Sequence, residues 1–319
     1  MSPPEAVNPP ELRRSEKTFY VGQRYVADLG SLRQPASCEG PPSDFPSPLE
    51  QLRFLSSEQV GRFGGWIVTP AKNPYSQYHL LVLPSPDNFK KDEDVWRNVS
   101  HILGIDLAEL FEKAGAVAGR LLKEGDVFEV ILGANGSGNK TMPFFHLHLV
   151  GLQEDKWQAL SADKLPGTVS LERVRLLTQN IGCQAQVGLV AQEIISSFPD
   201  LALSFTTSPA GSAFIPLGGP IEAVTADYDF PLLIQTTDRL LRQNQAGIPI
   251  DQRCLSWTVS QGEGENNAIL TAHNALKWGP ASSGLMEANL HVFRPDFQKF
   301  SLEENARYIA SCREAAGWF

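Results

Sequence analysis

Two histidines separated by one residue, His146 and His148, lie in the run Phe144-Phe145-His146-Leu147-His148-Leu149-Val150. The run reads as a strand, on which residues two apart face the same side at about 6.5 Å along the chain. Both imidazoles then point one way, while Leu147 and Leu149 point the other. Imidazoles on a covered face need polar partners, so the pair is either a set of satisfied histidines or a site. As a site, its chemistry is that of imidazole: a neutral ring nitrogen can act as nucleophile or base, and the neighbouring ring can stabilise developing negative charge. Holding a divalent metal is the competing use of an H-x-H pair. Glu129, Glu154 and Asp155 are the carboxylates at hand for that, and none has a diagnostic spacing.

A small-residue loop precedes the strand: Gly133-Ala134-Asn135-Gly136-Ser137-Gly138-Asn139-Lys140-Thr141. Its glycines let backbone N–H groups approach an oxyanion, and Lys140 and Thr141 add a cation and a hydroxyl. Asn135, Gly136, Ser137, Gly138, Asn139, Lys140 and Thr141 are therefore candidate substrate-binding residues, against the alternative of an ordinary hairpin turn. The loop is not a P-loop. Asn139 is one residue too many, and Pro143 and a strand follow where a helix must open. His79 is the third candidate catalytic residue, placed to orient a histidine or a phosphate; capping a strand edge is its alternative role. Trp66, Phe144 and Phe145 suit a base pocket or, more in keeping with their type, the core. His101 reads as solvated. Glu263 and Glu265, in GEGENN, read as a solvated turn.

These side chains need elements to hold them. Trp66-Ile-Val-Thr and Tyr78-His-Leu-Leu-Val-Leu read as strands separated by the turn-rich 70–77. Leu107, Leu110, Phe111, Ala114, Val117, Ala118, Leu121 and Leu122 recur at helical spacing, with Asp106 as N-cap and Gly125 as stop. Val127-Phe-Glu-Val-Ile-Leu is a further strand. Residues 49–160 thus read β-β-α-β-β, an α+β domain with a mostly antiparallel sheet. Residues 1–48, rich in proline, read as an extended N-terminal arm. Residues 161–319 read as a second α+β half. Helices are expected at SLERVRLLTQN, QVGLVAQEIISSF, PLLIQTTDRLLRQNQ and the C-terminal LEENARYIASCREAAGWF. Strands are expected at CLSWTVSQ, NAILTAHNAL and GLMEANLHVF, with FIPLGGP as a loop. A degenerate copy of the first half is an open reading of this segment, although no clean repeat is visible.

Composition narrows the function classes. At 42% hydrophobic and 20% charged over 319 residues the chain buries a real core. A net charge of -9 argues against a nucleic-acid backbone binder, while leaving a locally positive pocket for a small anion. Four scattered cysteines give no CxxC motif. No apolar run reaches membrane-span length, and the first residues lack a secretory h-region. The expectation is a cytoplasmic protein with no membrane partner.

In order and spacing, these pieces resemble the histidine-triad (HIT) superfamily. The residues that carry the resemblance are Pro74-Tyr-Ser-Gln-Tyr-His79-Leu-Leu-Val-Leu-Pro84, the helix at 106–124, Asn135-Gly136-Ser137-Gly138, and Phe144-Phe-His146-Leu-His148-Leu-Val-Gly151. The length is similar to that of the larger branches, the dinucleoside-polyphosphate phosphorylases (ATP adenylyltransferases) and galactose-1-phosphate uridylyltransferases. The resemblance implies a HIT-like antiparallel sheet with packed helices and two HIT-like halves in one subunit. It implies a nucleotidyltransferase, phosphorylase or hydrolase working through a nucleotidyl-histidine on a nucleoside polyphosphate or sugar nucleotide. No cofactor is required, a divalent metal is compatible, and relatives often dimerise through sheet edges. Matching Gly151 to the family's closing glycine makes His146 the nucleophile and puts Phe144 in place of the first histidine. Matching the H-x-H of the transferase branch makes His148 the nucleophile and puts Val150 in place of its usual glutamine. In the transferase branch the second half also contributes ligand contacts, which draws attention to Asn289, His291 and Arg294. The missing polar partner keeps a non-catalytic nucleotide- or partner-binding protein open as the alternative.

Overall fold

A computed structural model describes residues 47–71, 76–125, 127–135, 142–152, 206–207, 212–244, 253–276 and 302–319, with a few isolated positions between them. In chain order the elements are α1 (Pro48–Ser57), β1 (Gly61–Phe63), β2 (Trp66–Pro70), β3 (Tyr78–Pro84), α2 (Gly104–Glu124), β4 (Glu129–Asn135) and β5 (Leu147–Leu152). They continue with β6 (Thr206–Thr207), β7 (Ser212–Pro216), α3 (Ile221–Thr225), α4 (Phe230–Asn244), β8 (Arg253–Gly262), β9 (Ile269–Leu276) and α5 (Leu302–Ala316). Three short 3-10 turns lie between β3 and α2.

The architecture is α+β. Among the described residues, the nine strands form a single antiparallel sheet in the order β1-β2-β3-β5-β4-β8-β9-β7-β6. The seam is long: β4 pairs with β8 from Glu129↔Gly262 to Asn135↔Ser256. Strands from both sides of residue 160 therefore share one sheet. Read outward from the seam, β4-β5-β3-β2 and β8-β9-β7-β6 follow the same connectivity.

Alternation assigns each strand residue to a face. Val68, Tyr78, Leu80, Val82, Val130, Leu132, Leu147 and Leu149 join Leu110, Phe111 and Val117 of α2 in one buried cluster. Ile67, Leu81 and Leu83 join Leu49, Leu52 and Leu55 of α1 in another. With helices on both faces, every residue of β3 is buried, as its unbroken apolar run requires. Each large side chain so covered contributes roughly 1.5–3 kcal/mol. No described helix is long and apolar enough to cross a membrane.

Several boundaries differ from the sequence reading. Helix α2 begins at Gly104 with Leu103 at its N-cap, so Asp106 sits in the first turn, complementing the helix dipole, rather than capping it. Helix α1 starts at Pro48, because the Ser47 hydroxyl accepts the Glu50 N–H at 3.2 Å and proline preorganises the first turn. The segment read as a loop at FIPLGGP opens as the end of β7, paired with β9. The arm at 1–46, most of the helical stretches at 170–198 and the strand expected at 284–293 lie outside the described residues, with Asn289, His291 and Arg294.

Candidate functional site

His79 and His148 stand on adjacent strands, two residues out of register: His79 pairs with Val150, and His148 with Leu81. A diagonal pair of this kind has Cβ atoms about 7–8 Å apart, within reach for ring side chains. The rings meet, with His79 Nε2 2.9 Å from His148 Nδ1 and centroids 5.2 Å apart. Both residues are buried.

His146 differs from the sequence reading. β5 begins at Leu147, so His146 precedes the strand instead of sharing its pleat. Its neighbours set its position. Phe144 is buried in the α1-side cluster and Phe145 in the α2-side cluster, and the Phe145 N–H donates to the Trp96 carbonyl at 2.7 Å. Anchored on opposite faces, this pair brings His146 edge-on to His148, with centroids 4.9 Å apart at 62°. Trp66, Phe144 and Phe145 are all core residues. The Trp66 indole N–H donates to the Asp106 carbonyl at 3.2 Å.

The hydrogen bonds decide a tautomer. His146 Nδ1 lies 3.1 Å from the Phe144 carbonyl oxygen. A carbonyl only accepts, so Nδ1 carries the proton, and in the neutral ring Nε2 keeps its lone pair. Between His79 Nε2 and His148 Nδ1 one nitrogen donates and the other accepts, so the protonation of one ring fixes that of the other. The cluster thus sets a ring whose Nε2 keeps its lone pair beside a hydrogen-bonded pair of rings.

Gly133 lets β8 approach β4 closely beside this cluster. It is the cross-strand partner of His148 on one side and of Thr258 on the other. A Cβ there would stand 2.9 Å from both Thr258 Cγ2 and the Trp257 carbonyl. The sequence reading takes Gly133 as the start of a small-residue loop; in the structure it lies within β4, packed closely against β8. Asn135 closes β4 opposite Ser256. Gly136, Ser137, Gly138, Asn139, Lys140 and Thr141 lie outside the described residues, as do Glu154 and Asp155. His101 is exposed, and Glu263 and Glu265 lie in an exposed turn, as expected.

Among the described residues no group of three or more His, Cys, Asp or Glu side chains is arranged to hold a metal. Glu129 sits on the same face as His148, but four residues along β4 from that histidine's partner Gly133, a separation of roughly 13 Å. It cannot complete an H-x-H metal set. Loss of solvent around its carboxyl, helped by the nearby Glu265 carboxylate, pushes Glu129 up to about 8 from 4.5. The folded state therefore holds this proton more tightly than the unfolded chain does. The stability associated with it is complete below about pH 4.5 and is lost as pH rises toward 8. Glu129→Gln is expected to match the wild type near pH 5 and exceed it at pH 8.5. The gain should be about 1–3 kcal/mol, less than the full shift implies because the residue is partly exposed. Urea denaturation at the two pH values checks this; equal wild-type and variant stabilities at pH 8.5 would show that the carboxyl ionises freely.

No family model matches the sequence, and no curated protein matches it. Solved structures similar in chain path include an ADP-glucose phosphorylase from Arabidopsis thaliana with bound ADP-glucose. It has 10% identity and a TM-score of 0.39 over 82% of this chain and 92% of that one. A GalT-like protein from Arabidopsis thaliana has 9% identity and a TM-score of 0.36 over 75% and 84%. At these values the likeness assigns neither a family nor an activity.

Proposed function

We propose that the protein transfers a nucleotidyl group from a nucleoside polyphosphate or sugar nucleotide through a covalent intermediate on His146. The observation that carries this reading is the His146 Nδ1–H donated to the Phe144 carbonyl, beside the coupled His148–His79 pair. The Nε2 lone pair attacks the α-phosphorus, forming an N–P bond as the bond to the leaving phosphate oxygen breaks. The leaving oxygen departs as a phosphate, pyrophosphate or sugar phosphate. The modified ring carries positive charge, which its Nδ1–H shares with the Phe144 carbonyl. Water, inorganic phosphate or a second sugar phosphate then attacks the same phosphorus and releases His146. A histidine intermediate splits one difficult displacement into two easier ones, and His148 donates to the phosphoryl oxygens where charge develops. The resemblance of the surrounding motifs to HIT proteins supports the same assignment.

A binding protein without turnover is the second reading, favoured by one observation. Val150, the cross-strand partner of His79, is buried and apolar where the transferase branch carries an amide. Intact-mass spectrometry after incubation with dinucleoside polyphosphates and sugar nucleotides separates the two. A nucleotidyl adduct on the wild type that is absent from folded His146→Ala is the expected result. Tight nucleotide binding with neither adduct nor product would sink the enzymatic reading in favour of the second.

A further inference from the structure

Two side chains of the C-terminal helix α5 converge on one peptide group of the strand that carries His79. The Tyr308 hydroxyl lies 2.9 Å from the His79 carbonyl and 2.8 Å from the Ala71 carbonyl. The Ala71 N–H donates to the same His79 carbonyl at 3.0 Å, and the Cys312 thiol approaches it at 3.8 Å. One turn away, the Gln77 amide donates to the Ser311 hydroxyl at 2.6 Å. Tyr308 and Cys312 are buried, and both reach His79 through its backbone carbonyl. An O–H has one proton, so Tyr308 shares it between the carbonyls of Ala71, just past β2, and His79 in β3, tying both segments to α5 at residue 79.

We propose that Tyr308 is a positioning residue for the histidine cluster, setting the orientation of the His79 peptide so that His79 Nε2 meets His148 Nδ1. The reasoning is geometric. Rotating the plane of the His79 carbonyl redirects the Cα–Cβ bond of the same residue, and a displacement of a few tenths of an ångström at Cβ grows at the ring tip. The Nε2–Nδ1 contact is 2.9 Å, and such bonds weaken steeply beyond about 3.2 Å. The tyrosine is held by packing as well as by its hydroxyl, since it is buried in the main core cluster. A cavity of about 450 Å³, lined among others by Val60, Ala71, Ile309 and Arg313, borders Tyr308. Packing places the ring, and the two hydroxyl bonds fix where its oxygen sits. Burial also pushes the hydroxyl's ionisation far above its ordinary range, so it remains a donor at every working pH.

This inference rests on the proposed function only for its kinetic consequence; the structural consequence is read without substrate. The test compares the imidazole ¹⁵N and N–H proton signals of His79 and His148 in wild type, Tyr308→Phe and Ser311→Ala. Ser311→Ala removes the other α5–β3 tie and serves as the structural control. Tyr308→Phe is expected to move both residues' ¹⁵N shifts and to lose the proton signal shared between His79 and His148, with His146 unmoved. Ser311→Ala is expected to leave all three in place. Where the wild type turns over, Tyr308→Phe should lower kcat roughly 10- to 100-fold at unchanged KM, the scale of a small misplacement. If Tyr308→Phe does not fold, 3,5-difluorotyrosine at position 308 keeps the shape but strengthens the donor, and must shift the His79 signals. Unmoved His79 and His148 signals in a folded Tyr308→Phe, or in the difluorotyrosine protein, would overturn the proposal. A wild type without turnover would instead refute the proposed function, and the imidazole signals would still decide the role of Tyr308.

Discussion

His146→Ala is expected to lower nucleotidyl turnover by roughly 10⁴-fold or more, the scale for losing a covalent nucleophile. The protein should stay folded, because the anchoring residues Phe144 and Phe145 remain in their two clusters. His148→Ala removes a ring whose centroid lies 4.9 Å from that of His146 and 5.2 Å from that of His79. It should cost about 10²- to 10⁴-fold, the range for a group that moves or shares a proton in the transition state. His79→Ala should cost less, since His79 reaches the reaction only through His148. The double variant His79→Ala/His148→Ala should then be no slower than His148→Ala alone, because residues acting as one unit are not additive. Single-turnover kinetics with the best substrate of the panel measure all four. An adduct that survives in His146→Ala and disappears in His148→Ala would exchange the two roles and select the other alignment of the H-x-H pair. Costs that multiply in the double variant would mean that His79 contacts the substrate directly.

The parts of this arrangement that were legible in the sequence share a physical property: their signal is local. The apolar stripe of α2 follows from a period of 3.6, the alternation across β5 from a period of 2, and the burial of β3 from an unbroken apolar run within one element. His79 and His148 could be placed near each other because the turn-rich 70–77 and the helix between 106 and 124 left the two strands free to pair. The same rule misplaced His146. H-x-H satisfies a strand pattern at both histidines, but Phe144 and Phe145 are pulled to opposite faces before the ladder starts, so the first ring arrives from outside the pleat. Helix α1 was passed over although Ser47, Pro48 and Glu50 carry a helix-start pattern, because the surrounding prolines suggested an extended arm. β1 has only three residues, too few for alternation to register. Tyr308 had no sequence signal at all, since its partners Ala71 and His79 lie 237 and 229 residues away.

A second feature invisible to periodicity yields the largest expected stability effect. Gly115→Ala is expected to destabilise the protein by about 2–3 kcal/mol, although alanine is the better helix former by about 1 kcal/mol. Gly115 lies in the middle of α2, and a Cβ there would overlap Thr225 Oγ1 and stand 2.7 Å from Thr225 Cβ. Helix α3 crosses α2 at this point because both sides are small or held back: Gly119, one turn on, faces Glu222 in the same way. Thr225 cannot yield. It is buried, and its hydroxyl donates to the Ile221 carbonyl at 2.7 Å. Glu222 can swing outward, since it faces solvent and pairs with Lys123 at 2.9 Å. Overlap with Thr225 therefore outweighs the gain in helix propensity, and α3 must move away from α2, opening the cluster around Phe111 and Phe230, whose rings lie 5.0 Å apart. Gly104→Ala provides the contrast: nothing lies within 4 Å of its Cβ position, so it should be neutral or stabilising by up to about 1 kcal/mol. A double-mutant cycle with Thr225→Gly isolates the contact. The loss at Gly115 should shrink by at least about 1.5 kcal/mol when Thr225 is removed, as for residues that share one packing contact. Equal losses in the two backgrounds, measured by urea denaturation, would show that α2 and α3 do not touch at Gly115.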